Sequence, residues 1–87
     1  MAINLYGFDR TAAVTIIPGG SAGAHTIDGD LDASGDELVS VYMDASGTLS
    51  DLTAEFSISG HNEIDNAAGT DSTGNYLIVT YLKGAGK

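Results

Sequence analysis

A regular alternation of apolar and polar side chains over residues 37–59 constrains the fold more than any other feature of the sequence. Val39, Val41 and Met43 alternate with less apolar neighbours in the first half, and every second residue of Leu52–Ile58 is apolar in the second half. Successive side chains leave opposite faces of an extended backbone, so a period of two predicts half-buried strands. We therefore predict two antiparallel strands joined by a turn, each with one face in the core.

The rest of the chain adds short strands separated by glycine-rich turns. Ala12–Ile17 is rich in β-branched residues, and Pro18 with the two glycines after it ends this strand. Tyr76–Leu82 is apolar on both faces, which indicates a central strand covered on both sides or a face given to a partner. His61–Thr73 is expected to be a loop with at most a short strand. The main strands are expected at Ala12–Ile17, Glu37–Asp44, Thr53–Ser59 and Tyr76–Leu82.

These elements predict an all-β fold, a small antiparallel β-sandwich or barrel of about six short strands. It is expected to form a single domain over residues 1–87, with a short mobile tail at residues 84–87. An alternative holds for Ser50–Phe56, where Ser50 can cap a short helix with Leu52 and Phe56 at helical spacing. The predicted core consists of the apolar members of the alternating strands: Ile16, Val39, Val41, Met43, Phe56, Ile58 and Ile78.

The chain is strongly acidic, which limits its partners. Three Lys and Arg residues stand against twelve Asp and Glu, and the net charge is −9. Such a surface repels nucleic-acid phosphates and anionic membranes, and a basic protein surface or a cation complements it. The chain has no Cys, so a domain of this size lacks covalent staples and is expected to gain stability from association.

Catalytic and histidine motifs are weak in this sequence. Gly19–Gly23 matches the G-x-S-x-G pattern of a serine nucleophile, but that motif needs a strand-to-helix turn and the residues after it do not form a helical pattern. His25 and His61 show no spacing that pairs them with a Ser and an Asp. His61–Asp65 reads as a solvated loop. We therefore predict that the protein is not an enzyme.

The acidic segment Asp30–Asp36 is the most specific chemical signal. It fits D-x-D-x-S-G, the first half of a calcium loop, in which oxygens at the first, third and fifth positions converge on the ion. The flanks are strand-like, and Val41 stands where a helix–loop–helix calcium site has its bidentate Glu. The segment is thus either an acidic surface turn or a calcium loop of another type. The candidate ligands are Asp30, Asp32, Ser34 and the carbonyl of Asp36.

The pattern of the whole chain resembles the small β-rich decoration, or cement, proteins of tailed-phage capsids. The resemblance is carried by the short Cys-free all-β pattern, the acidic surface, the lack of a catalytic set or signal peptide, and the strand-like N-terminus MAINLYGF. It implies many copies on the outside of a capsid, often as trimers, which bridge neighbouring major capsid proteins and stabilise the shell. It also implies a location on the virion surface after assembly in a host cytoplasm.

Other classes stay open beside this resemblance. They are a small calcium- or carbohydrate-binding β-module, and a subunit of a self-assembling filament or another virion part. An apolar strand at a sheet edge pairs readily with another chain. The N-terminal strand candidate is therefore predicted to lie at a subunit contact, either between copies or against the shell, through Ile3, Leu5, Tyr6 and Phe8.

Overall fold

The fold is all-β and contains two antiparallel sheets, as predicted. The computed structural model describes residues 11–67 and 69–84. The four-stranded sheet has the order β1-β7-β3-β4 and the three-stranded sheet has the order β2-β6-β5. The strands are β1 (Ala12–Pro18), β2 (Gly23–Thr26), β3 (Glu37–Ala45), β4 (Thr48–Asp51), β5 (Phe56–Gly60), β6 (Glu63–Asn66) and β7 (Tyr76–Leu82). The described residues include no helix of the length and apolar character that a membrane span requires.

The core combines side chains from both sheets. β7 supplies Leu77, Val79 and Tyr81, which alternate along the strand and are almost completely buried. β7 lies between β1 and β3, so it is central in its sheet as predicted, but it is not covered on both sides, since Tyr76 is exposed. The buried apolar residues are Ile17, Ile27, Leu31, Val41, Leu52, Phe56, Ile64, Leu77, Val79 and Tyr81.

The predicted core is right for some strands and wrong for others. Val41 and Phe56 are buried, and Met43 and Ile58 are partly buried against the core. Three residues are wrong, because they lie on the outer side of the four-stranded sheet: Ile16, Val39 and Ile78. Ile16 is 62% exposed and Val39 is 46% exposed, whereas Ile78 is half-buried.

Strand phase explains these errors. Ile17 pairs with Leu77 and both side chains point inward, so the neighbouring pair of Ile16 with Ile78 points outward. In β3 the register against β7 shifts between Leu38 and Ser40. This irregularity interrupts the period of two, so Leu38 packs against the core and Val39 is exposed.

The predicted pairing of the two strands in residues 37–59 is also wrong. β3 pairs instead with β4 through the two-residue turn Ser46-Gly47, in which both residues have positive φ. Paired left-handed residues suit the twist of a tight hairpin. Residues 53–55 form a 3-10 turn, and β5 then joins the other sheet. Ser50–Phe56 is therefore neither one strand nor one helix, although Leu52 and Phe56 are both buried.

The remaining segments agree with a loop-rich chain. His61–Thr73 contains one strand, β6, of four residues. Gly84, which the sequence analysis assigns to the mobile tail, is buried and donates its N–H to Asp36 Oδ1 at 2.6 Å. Residues 85–87 lie outside the described residues.

Candidate interaction face

The outer face of the four-stranded sheet is the most apolar exposed surface of the described residues. All six of their exposed large apolar side chains belong to strands of this sheet, and none belongs to the three-stranded sheet. The term outer apolar face is used below for five of these residues together with the half-buried Ile78, which pairs with two of them: Val14, Ile16, Tyr42, Leu49, Tyr76 and Ile78. Val39 is not included, because it lies at the irregularity of β3. A contiguous exposed patch of this kind is typical of an interaction site.

The register of the strands makes this face continuous. Ile16 pairs with Ile78, and Ile78 pairs with Tyr42 on its other side. Directly opposed side chains on one face of a sheet lie about 4.5–5.5 Å apart at their Cβ atoms. These side chains therefore form one row across β1, β7 and β3. A parallel row places Tyr76 of β7 beside Pro18 of β1.

Charge divides this sheet into two halves. β1 and β7 contain no charged residue, whereas β3 and β4 carry Glu37, Asp44 and Asp51. Asp44 pairs with Leu49, and Asp51 pairs with Tyr42. Asp44 therefore lies between Tyr76 and Leu49 on the outer side of the sheet, and Asp51 lies beside Tyr42, so the acidic side chains are confined to β3 and β4. A partner that covers this face meets apolar area over β1 and β7 and negative charge over β3 and β4.

The three-stranded sheet presents a different surface. Its exposed residues on β2 and β5 are small or polar: Ala24, Thr26, Ser57 and Ser59. Glu63 and Asp65 of β6 lie between these strands on the same side. The outer sides of the two sheets therefore differ in chemistry, and among residues 11–67 and 69–84 only the four-stranded sheet exposes large apolar side chains.

The acidic segment folds around a lysine. Asp36 is buried, and its Oδ2 accepts hydrogen bonds from Lys83 Nζ at 2.8 Å and from Asp32 N–H at 2.7 Å. Lys83 Nζ also donates to the Asp30 carbonyl oxygen and lies 3.5 Å from Asp30 Oδ2. The Lys83 ammonium thus occupies the position at which oxygen atoms of the segment converge.

The other two candidate calcium ligands bond to each other. Asp32 Oδ1 accepts hydrogen bonds from the N–H of Ser34 at 3.0 Å and from its hydroxyl at 3.3 Å. This arrangement is an Asx-type turn, which explains the sequence pattern without a metal. Within residues 11–67 and 69–84, no group of three or more His, Asp or Glu side chains has a geometry that could hold a metal ion. Calcium binding stays a prediction.

The lysine contact governs the ionisation of Asp36. Burial on its own raises the pKa of Asp36, but the hydrogen bonds from Lys83, Asp32 and Gly84 outweigh burial and hold this pKa well below its ordinary value. The hydrogen bond to Asp36 likewise raises the pKa of Lys83 above 10.5. Both groups are therefore charged at neutral pH, and they tie the end of β7 to the acidic segment.

The histidines and Ser21 lie in unlike surroundings. His25 is buried on β2, its ring centroid lies 5.8 Å from that of Phe56, and its Nε2 has no hydrogen-bond partner. His61 is exposed in the turn before β6, and Ser21 is exposed in the bend before β2. The segment after Ser21 is a strand, so the nucleophile-elbow geometry is not formed. No pocket is found in the part of the chain that the structure describes.

Comparisons with known proteins add no relative. No family model matches the chain, and neither a curated protein nor a solved structure matches it.

The predicted subunit contact at Ile3, Leu5, Tyr6 and Phe8 lies outside the described residues. Val14, Leu49 and Tyr76 were not predicted from the sequence to be surface residues. For Tyr76 the two-sided apolar character of Tyr76–Leu82 was a signal, whereas the sequence carried none for Val14 and Leu49.

Proposed function

We propose that this chain is a non-enzymatic structural protein that binds a protein lattice, as the capsid decoration proteins it resembles do. The observation that carries the proposal is the outer apolar face. Tyr76 is 56% exposed and Leu49 is 59% exposed on a sheet whose other side already carries the buried core. Exposure of apolar side chains of this size to water is unfavourable in free energy, and a protein surface bound over them relieves that penalty.

The chemistry of this face suits a protein surface with both apolar and basic groups. Tyr42 and Tyr76 provide large rings with a polar tip, the side-chain type that is enriched at the centres of protein interfaces. Asp44 and Asp51 border them and complement Lys or Arg on a partner. We place the partner on the surface of a viral capsid, where the chain bridges neighbouring subunits and stabilises the shell.

The proposal is tested by reconstitution. Particles from the source of this sequence are purified, stripped of the chain and mixed with recombinant protein, and bound copies are counted after sedimentation. The intact chain is expected to cosediment at a fixed ratio to the lattice subunit. The double variant Tyr42→Lys/Tyr76→Lys is expected to bind at least about tenfold more weakly, because it places charge at the centre of the contact.

A control variant carries the same change in charge. Thr26→Lys/Ser57→Lys adds two lysines to the exposed side of the three-stranded sheet, beside Glu63 and Asp65, and is expected to bind as the intact chain does. Full occupancy by the Tyr42→Lys/Tyr76→Lys variant contradicts the proposal. It is also contradicted if the intact chain joins no protein assembly, or if it shows an enzymatic turnover.

A further inference from the structure

We propose that two copies of this chain pair through the edge of β1 that faces away from β7, antiparallel to each other across a two-fold axis. β7 lies on one side of β1, and no strand of the described residues pairs with its other side. The N–H and C=O groups on such an edge are available to another strand. β1 has seven residues, whereas β4, the opposite edge of the sheet, has four.

β1 lacks the features that commonly protect an edge strand. Its pairing with β7 is continuous from Ala12 to Pro18 without a bulge, and Pro18 stands only at its end. It contains no charged residue. The other edge strands are short or irregular: β4 ends at Asp51, β2 has four residues, and the register of β5 shifts near Ile58. β1 is therefore the edge best suited to accept a strand.

The charge of the chain favours a second copy at this edge over other parts of the surface. Two copies each carry a net charge of −9 and repel each other wherever carboxylates meet. β1 and its neighbour β7 carry no charge, so this is the side on which two copies can approach closely. Among the described residues, Asp28 approaches β1 through its backbone, whose carbonyl oxygen accepts the Thr15 hydroxyl at 3.0 Å.

The sequence of β1 is complementary to itself in one register. A two-fold axis through Thr15 places Val14 opposite Ile16 of the second copy, and Ile16 opposite Val14. These two side chains are 64% and 62% exposed, the highest values among the large apolar residues that the structure describes. Opposed β-branched pairs on one face stabilise an antiparallel sheet. The same register joins the two outer apolar faces into one continuous surface.

Dimerisation does not depend on lattice binding, so it is measured on the isolated full chain. Sedimentation equilibrium over a range of concentrations is expected to show a monomer–dimer equilibrium. Ile16→Lys is expected to weaken the dimer at least about tenfold, because it puts two added charges at the junction. Leu49→Lys is the control, since Leu49 lies on the same outer side, is 59% exposed and belongs to the opposite edge.

The two variants distinguish pairing through β1 from other ways in which two copies could associate. Loss of the dimer in Ile16→Lys but not in Leu49→Lys supports pairing through β1. Equal loss in both variants indicates that the copies stack through their outer faces, and overturns the proposal. A chain that stays monomeric up to millimolar concentration also overturns it, since the edge is then closed to a second copy.

Cysteine pairs test the register directly, because the natural chain contains no Cys. A mixture of Val14→Cys and Ile16→Cys chains is expected to form a disulfide-linked dimer under mild oxidation, since the two positions oppose each other. Val14→Cys alone is expected to stay uncrosslinked, because diagonal positions lie about 7–8 Å apart, beyond disulfide reach. Efficient crosslinking of Val14→Cys alone would overturn the register through Thr15.

Discussion

Replacement of Ile17 and of Ile16 by alanine, one at a time, measures which face of β1 lies in the core. Ile17 is 4% exposed and Ile16 is 62% exposed. The change to alanine removes three carbons, which is about 2.4 kcal/mol of transfer free energy for a fully buried side chain. With the cavity that remains, Ile17→Ala is expected to lower the free energy of unfolding by about 2–5 kcal/mol.

Ile16→Ala is expected to cost about 1 kcal/mol, since only the covered minority of that side chain loses contacts. Both variants replace isoleucine by alanine in the same strand, so the change in strand propensity largely cancels. The comparison uses urea unfolding followed by circular dichroism, at a protein concentration low enough to keep the chain monomeric, with a check that the slope is unchanged. Equal losses, or a larger loss for Ile16→Ala, would refute the inward orientation of Ile17.

The sequence predicts strands better than it predicts their phase. Alternation identified β3 and the buried positions Val41 and Phe56, because side-chain period is a local property of the chain. The choice between Ile16 and Ile17 is not local. Both are apolar and β-branched, and the pairing of Ile17 with Leu77 decides it. The irregularity after Leu38 likewise depends on the match to β7.

The same limit applies to the candidate sites. The acidic pattern of residues 30–36 pointed to a cation, and the structure places the ammonium of Lys83 there. Lys83 is separated from Asp36 by 47 positions, and no local pattern connects them. Conversely, the apolar character of Tyr76–Leu82 on both faces is local, and it predicted the alternative that the rest of the chain leaves one face of this strand uncovered, as it does at Tyr76. The exposed positions of Val14 and Leu49 required the strand order, which the sequence did not provide.

Three further predictions concern buried polar groups. The pKa of Asp36 is held below its ordinary value of 3.8, so Asp36 contributes stability that is fully present above that pH and is lost as pH falls below it. Asp36→Asn should therefore flatten the acid limb of a stability–pH curve, and an unchanged limb would contradict the pairing with Lys83. If calcium binds the acidic segment through Asp30, it must displace the Lys83 ammonium from Asp30. The calcium-dependent rise in melting temperature should then be larger in Lys83→Met than in the intact chain, and no rise in either would contradict calcium binding. His25→Phe should leave the free energy of unfolding unchanged or raise it by about 1 kcal/mol, because it removes an unpartnered buried nitrogen. A loss above about 1 kcal/mol would show that Nε2 has a partner, and His61→Phe in the exposed turn is the control.

The salt dependence distinguishes lattice binding from dimerisation, because charge interactions favour the first and oppose the second. Lattice binding joins an acidic chain to a surface with basic groups, so screening should weaken it. Pairing through β1 joins two chains of net charge −9 across an uncharged strand, so screening of their mutual repulsion should strengthen it. The Debye length falls from about 10 Å at 0.1 M salt to about 3 Å at 1 M, a range that covers both effects. The dissociation constants for lattice and dimer are therefore expected to move in opposite directions over this range. A dimer that weakens with salt would mean that an ion pair, and not the uncharged edge, holds the two copies together. Lattice binding that strengthens with salt would mean that the carboxylates of β3 and β4 face no basic partner.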